Sequence, residues 1–215
     1  QMTYLEIVNN VLRRLREREV STVDETAYSK LIGDFVNDAK EEIENAWSWS
    51  HLRTTITATT TADIFAYILT DSGTRMQVLN VYNDTDNYEM TYRSADRMTK
   101  DYLSNPASGS PRYYSFNGVD INGNTIAEVY PKPNGVYNLR FNLVVRPTSL
   151  VSDTDVLYAP ERPTILLAYA KAVEERGEDG GTAGISAYNT ANRSLNDAIS
   201  FDQAKHPEEL IWATP

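Results

Sequence analysis

Two Asn-Gly dipeptides inside one alternating run constrain this chain more than anything else in it. The run is Tyr113 to Arg146, YYSFNGVDINGNTIAEVYPKPNGVYNLRFNLVVR. Asn122-Gly123 lies between Ile121 and Ile126, and Asn134-Gly135 between Tyr130 and Val136. Tight hairpin turns need positive φ at their centre, which Asn and Gly tolerate and β-branched residues do not. After the second dipeptide, Tyr137, Leu139, Phe141, Leu143 and Val145 alternate with mostly polar neighbours. That period of two marks a half-buried strand. The expectation is a three-stranded antiparallel meander, closed at Pro147, which cannot donate to a ladder.

The flanks of the run read as helix. Thr3 with Glu6 has the form of a capping box, and Leu5, Val8, Leu12 and Leu15 follow at helical spacing to about Arg18. Arg13, Arg14, Arg16 and Arg18 lie where cations favour a helix's carbonyl pole, and read as a solvated face. A second, longer helix opens at Ser21, Thr22 or Asp24. Its apolar stripe is Tyr28, Leu31, Ile32, Phe35, Ala39, Ile43, Ala46 and Trp47. The acids Asp34, Asp38, Glu41, Glu42 and Glu44 are expected on the opposite face. Trp47 and Trp49 read as a junction between helix and sheet, where large aromatics bury much area.

From Leu52 the pattern turns to short β-rich runs: Leu52 to Thr60, Ile64 to Leu69, Arg75 to Tyr82 and Tyr88 to Arg93. A short helix is expected over Ser94 to Leu103. Beyond the run, Pro160 and Pro163 mark a helix start, since a first-turn proline costs no hydrogen bond. Thr164 to Arg176 is helical and Ala-rich. Ile185, Tyr188, Ala191, Leu195, Ala198 and Ile199 form the stripe of a last helix, stopped at His206-Pro207.

The fold class expected is therefore α+β. An antiparallel bundle of about four main helices, residues 1–50 and 153–205, carries a central inserted antiparallel β domain, residues 51–152, built as a small sandwich or barrel. Residues 206–215 form a C-terminal tail.

Charge and residue types narrow the function. The net charge is −10, with the helical parts acidic and residues 51–152 neutral. Tight phosphate binding needs clustered Lys and Arg, so specific nucleic-acid binding is not expected. With no cysteine there is no thiolate metal site or disulfide, and at 41% hydrophobic residues a sizeable core can form. No run is long and apolar enough to span a membrane, and no signal peptide is read at the N-terminus. His51 and His206 lack the spacing of a metal site or a catalytic triad. Asp120 to Asn124 starts like a calcium loop, but Thr125 and Pro131 stand where Gly and Glu are required, and a turn explains the residues. Glu174, Glu175, Glu178 and Asp179 could pair as general acid and base, but beside glycines at a helix end they read as a solvated turn. No catalytic residue, cofactor or metal ligand is assigned.

What remains is surface. Fourteen Tyr and three Trp exceed what one modest core needs, and such residues favour half-wet interfaces. Leu210, Ile211 and Trp212 follow a helix-stopping proline and form a candidate partner-docking tail.

Several segments together resemble a known family. They are Val144-Val-Arg-Pro147, Asp155-Val-Leu-Tyr-Ala-Pro160, Leu167-Ala-Tyr-Ala-Lys-Ala172, Glu175-Arg-Gly-Glu-Asp-Gly-Gly181, the last helix with Tyr188 and Ala198-Ile199, and the Trp-bearing tail. With the helix–β–helix order, the chain resembles the head-to-tail adaptors of short-tailed phages, the tail tubular protein A-like group. The resemblance implies a non-enzymatic virion protein, assembled in the host cytoplasm and placed at the head–tail interface. It implies a dodecameric homo-oligomeric ring between portal protein and tail nozzle protein, with a channel through which DNA passes without specific binding during ejection. It also implies that Leu210, Ile211 and Trp212 dock on the portal. The alternative is a carbohydrate- or peptide-binding β module on a helical stalk, suggested by the neutral, Tyr-rich β region.

Overall fold

The computed structural model describes residues 1–177 and 181–206. The chain divides into two compact units, Gln1–His51 with the chain from Ser149 onward, and Leu52–Thr148.

In the first unit, α1 (Tyr4–Arg14) opens with the capping box: Glu6 N–H donates to Thr3 Oγ1 at 3.3 Å, and Thr3 N–H to Glu6 Oε2 at 2.8 Å. It ends earlier than its apolar spacing predicts. Arg16 takes a left-handed conformation, φ 60°, while Glu17 N–H reaches Leu12 O and Arg16 N–H reaches Arg13 O. This is a Schellman closure with arginine where glycine is usual. A short 3₁₀ turn, Val23–Glu25, then delays α2 (Ala27–Ala46) to a cap at Thr26, reciprocated by Ser29.

The acidic face of α2 is narrower than its sequence suggests. Asp34, Asp38, Glu41 and Glu42 are exposed, but Glu44 is buried, 2.9 Å from the equally buried Lys40. One turn apart on a helix, opposite charges neutralise each other and can leave water together. Ala46, expected on the buried stripe, is exposed.

The helix α4 (Glu161–Arg176) is the centre of this unit. Pro163 to Ala168, Ala170 and Ala172 are all buried. A helix buried over most of its circumference is packed by several neighbours, and α4 touches α1, α2 and α5. Gly177, φ 62°, closes it in the left-handed region. The helix α5 (Thr182–Gln203) is its opposite: only Gly184, Ala191 and Asp202 are buried. The N-terminal residues are fastened to the returning chain by Tyr4 N–H to Asp155 O, 2.8 Å, and Leu157 N–H to Met2 O, 3.1 Å. Asn37 clamps Leu150, accepting from its N–H at 2.8 Å and donating to its carbonyl at 3.0 Å.

The second unit holds two four-stranded sheets. Their strands are β1 (Arg53–Thr59), β2 (Ala66–Ile68), β3 (Met76–Asn83), β4 (Tyr88–Glu89), β5 (Thr91–Tyr92), β6 (Tyr113–Val119), β7 (Thr125–Tyr130) and β8 (Asn138–Val145). The orders are β1-β8-β3-β4 and β2-β7-β6-β5. One core lies between them, with Val81, Leu139, Phe141 and Leu143 from the first sheet meeting Tyr114, Ala127 and Val129 from the second. The ring of Phe141 lies 6.5 Å from Tyr114 and 6.4 Å from Phe116. The helix α3 (Ala95–Ser104), capped by Ser94, joins β5 to β6, which pair in parallel. Its Tyr102 stacks edge-on against Tyr130 at 5.2 Å.

Two expectations fail here. The fold is not a four-helix bundle with a single inserted antiparallel domain. Among the described residues there are five α-helices, one of them within the sheet-bearing unit, and two four-stranded sheets, one carrying a parallel pair. Nor do the two Asn-Gly sites make a meander. The first does join paired strands, β6 and β7, by a turn over Asp120 to Gly123 with Gly123 at φ 78°. Asp120 holds that turn by accepting from Asn124 N–H at 2.7 Å and Asn122 N–H at 2.9 Å. These bonds stabilise its ionised form and lower its pKa. The second dipeptide carries the chain from β7 in one sheet to β8 in the other, so those strands never pair.

Candidate docking surfaces

The residues expected to carry function fall as follows. Leu210, Ile211 and Trp212 lie outside the described residues, as do Glu178 and Asp179. Glu174, at the end of α4, accepts a hydrogen bond from Tyr188 Oη at 2.6 Å. Burial, then this carboxylate, raises the Tyr188 pKa, and the hydrogen bond joins α4 to α5. His51 packs beside Trp49, ring centroids 5.8 Å apart, and burial lowers its pKa. Asp120 to Asn124 form a turn, as above.

The feature the sequence does not announce is a groove of about 620 Å³ in the helical unit. One wall is the segment Leu157 to Pro163 leading into α4, and the other is α5 from Thr190 to Phe201. Local rules explain why it stays open. Pro160 is the N-cap of α4 and Pro163 lies in its first turn, where a missing N–H costs no helical bond, so the chain enters α4 from an extended segment. On the facing side, α5 presents Ser194 and Ala198, too small to fill the space. Leu157 and Leu166 form an apolar floor, while Tyr158 is 50% and Phe201 77% exposed at the edge. Arg162 and Arg193 stand on the rim, and neither has an ion-pair partner among the described residues. Glu161, also on the rim, accepts from Met2 N–H at 2.6 Å.

Sequence reasoning placed Ile185 on the buried stripe of α5 and left Phe201 unassigned. Ile185 is 66% exposed. The available signal was Phe201 itself, an aromatic standing two residues past the stripe.

The second surface is a sheet edge. Of the four edge strands, β4 and β5 have two residues and β2 three, too short to template another chain. The fourth, β1, has seven residues, RTTITAT, five of them Thr or Ile, with no proline and no charge beyond Arg53. Among the described residues it pairs only with β8.

The chain belongs to the SU10 adaptor protein family, whose sequence model matches residues 2–209. This agrees with the resemblance to phage head-to-tail adaptors and makes the protein a structural adaptor of the virion that contacts other capsid or tail components. None of the curated proteins compared with it matches.

Proposed function

We propose that the protein acts at the head–tail interface as a ring of identical subunits, dodecameric as its resemblance implies, between portal protein and tail nozzle protein. The observation that carries this reading is the state of α5. A helix of 22 residues that buries three has much of its surface uncovered by the described residues of its own subunit, and Ile185 and Phe201 lie exposed on opposite sides of its buried stripe. Helices of this kind are completed by packing against another surface. An adjacent copy in a ring supplies one.

The exposed acids of α2, Asp34, Asp38 and Glu41, support the DNA-passage part of the reading. A wall of fixed negative charge repels phosphate, so a duplex slides without sticking. The tail with Leu210, Ile211 and Trp212 is assigned to portal docking. The test is a pair of variants mixed with portal: Ile185→Asp is expected to stay folded and lose rings, and deletion of residues 207–215 to keep the fold and lose attachment. Rings and attachment unchanged in both would overturn the reading.

The second reading, a peptide-binding sheet module, is favoured by the open β1 edge alone. It requires an extended ligand that binds the full chain and is lost on Thr57→Pro, a substitution that removes a backbone donor from that edge.

A further inference from the structure

The groove between α4 and α5 shares only its Phe201 edge with the ring reading. We propose that it holds the subunit's own Glu208 to Trp212 before assembly, so that the docking tail is parked until a portal competes for it. The inference rests on the reading of that tail as the portal-docking segment.

Chemistry, reach and connection each favour this occupant. The floor at Leu157 and Leu166 and the edges at Tyr158 and Phe201 ask for apolar and aromatic side chains, and Leu210-Ile211-Trp212 supplies three in a row. The rim cations Arg162 and Arg193 form no ion pair among the described residues, with Asp197 the one carboxylate of the α5 wall, and Glu208-Glu209 comes directly before the apolar trio in the sequence. Along α5 the groove runs from Thr190 to Phe201, about 16 Å at ~1.5 Å per residue. An extended Glu208 to Trp212 covers about the same length at ~3.3 Å per residue. α5 ends at Gln203, two residues beyond Phe201, and a proline, which disfavours helix continuation, stands at position 207 of the sequence. So short a tether gives an effective concentration in the millimolar range, so weak contacts suffice to hold it.

The occupant has consequences for assembly. While parked, the tail covers Phe201, an aromatic otherwise exposed on α5. A portal that captures the tail uncovers Phe201 and the groove behind it.

The chain has no native cysteine, so an introduced pair reads position cleanly. The full-length double variant Ala198→Cys/Ile211→Cys, dilute and without portal, is oxidised and its intramolecular disulfide timed. The control is Ser21→Cys/Ile211→Cys, with Ser21 before the opposite end of the ~30 Å helix α2 from the Trp47–Asp202 contact. Should Ala198→Cys disturb folding, Thr190→Cys on the same wall replaces it. The expected result is cross-linking about tenfold faster than the control, falling to the control rate when Arg162→Glu and Arg193→Glu are added. Equal rates, or a disulfide that links two differently tagged chains, would overturn the proposal. Because portal is absent, failure here leaves the truncation result standing, and a truncated chain that attaches normally removes the docking role without bearing on the cross-link.

Discussion

Asp202, in the last turn of α5, accepts a hydrogen bond from the indole N–H of Trp47, just past the end of α2, at 3.1 Å. The same carboxylate accepts from Ser50 N–H at 3.0 Å, from the Ser50 hydroxyl, and from Lys205 Nζ at 3.5 Å. Asp202 is one of three buried residues on α5, so this knot is where the helix's C-terminal half is tied down. It fixes the point from which the tail departs. Asp202→Asn keeps the volume and loses charge-assisted bonds, each worth about 1.5–3 kcal/mol. The expected loss is of that order, read as a lower urea midpoint in the fluorescence of Trp47 and Trp49. An unchanged midpoint would show the knot to be incidental.

Acid should weaken this unit in two steps. Burial lowers the His51 pKa from 6.5, so below about pH 6.5 the unfolded chain takes up a proton the folded one resists, and stability falls as pH falls. Burial acts to raise the Asp202 pKa, but the Ser50 hydroxyl and N–H, the Trp47 N–H and the Lys205 charge outweigh it, and the net shift is below 3.8. Its contribution is complete above that value and disappears as pH drops through the folded pKa. In unfolding midpoints measured across pH, His51→Gln should flatten the upper step and Asp202→Asn the lower. A profile unaltered by either substitution would contradict the assignment.

Gly33 marks the closest approach of α2 to its surroundings. A Cβ there would fall deep inside contact distance of Tyr4 Oη, and 3.0 Å from Val23 Cγ1. Alanine gains about 1 kcal/mol of helix propensity. Overpacking against a buried tyrosine costs about 1–3 kcal/mol and wins. Gly33→Ala is therefore expected to destabilise in thermal or urea unfolding, against the usual direction for a helix interior. A stabilised variant would show that Tyr4 moves aside freely.

At the end of α1 the expectation reverses. Arg16 holds φ 60°, and a left-handed L-residue costs about 1–2 kcal/mol. Glycine there avoids that cost and gives back a smaller part of it as unfolded-state entropy. Arg16→Gly should raise stability by about 0.5–1 kcal/mol in the same assay, and a loss would mean the Arg16 side chain has an undetected stabilising role.

The sequence discloses helices whose caps are local. Thr3 with Glu6, Ser94 and Gly177 each act within one turn of their own positions, and periodicity names the core face of α1. The β6–β7 hairpin is legible for the same reason. The fate of Asn134-Gly135 is not, because the dipeptide favours a reversal without saying which sheet the next strand joins. Period two in β8 reads the same in either sheet. Glu44 is misread because its burial depends on Lys40 being buried with it, a pairwise fact hidden in a one-residue hydropathy. The groove is invisible since its walls, around Tyr158 and Phe201, are some 40 residues apart, and its shape depends on a space left unfilled.

The most direct test of the adaptor reading is electron microscopy of the full chain mixed with portal protein. The account predicts an added ring of density on one face of the portal, coaxial with its channel, lost when residues 207–215 are deleted. Portal particles that look the same with and without the protein would contradict it.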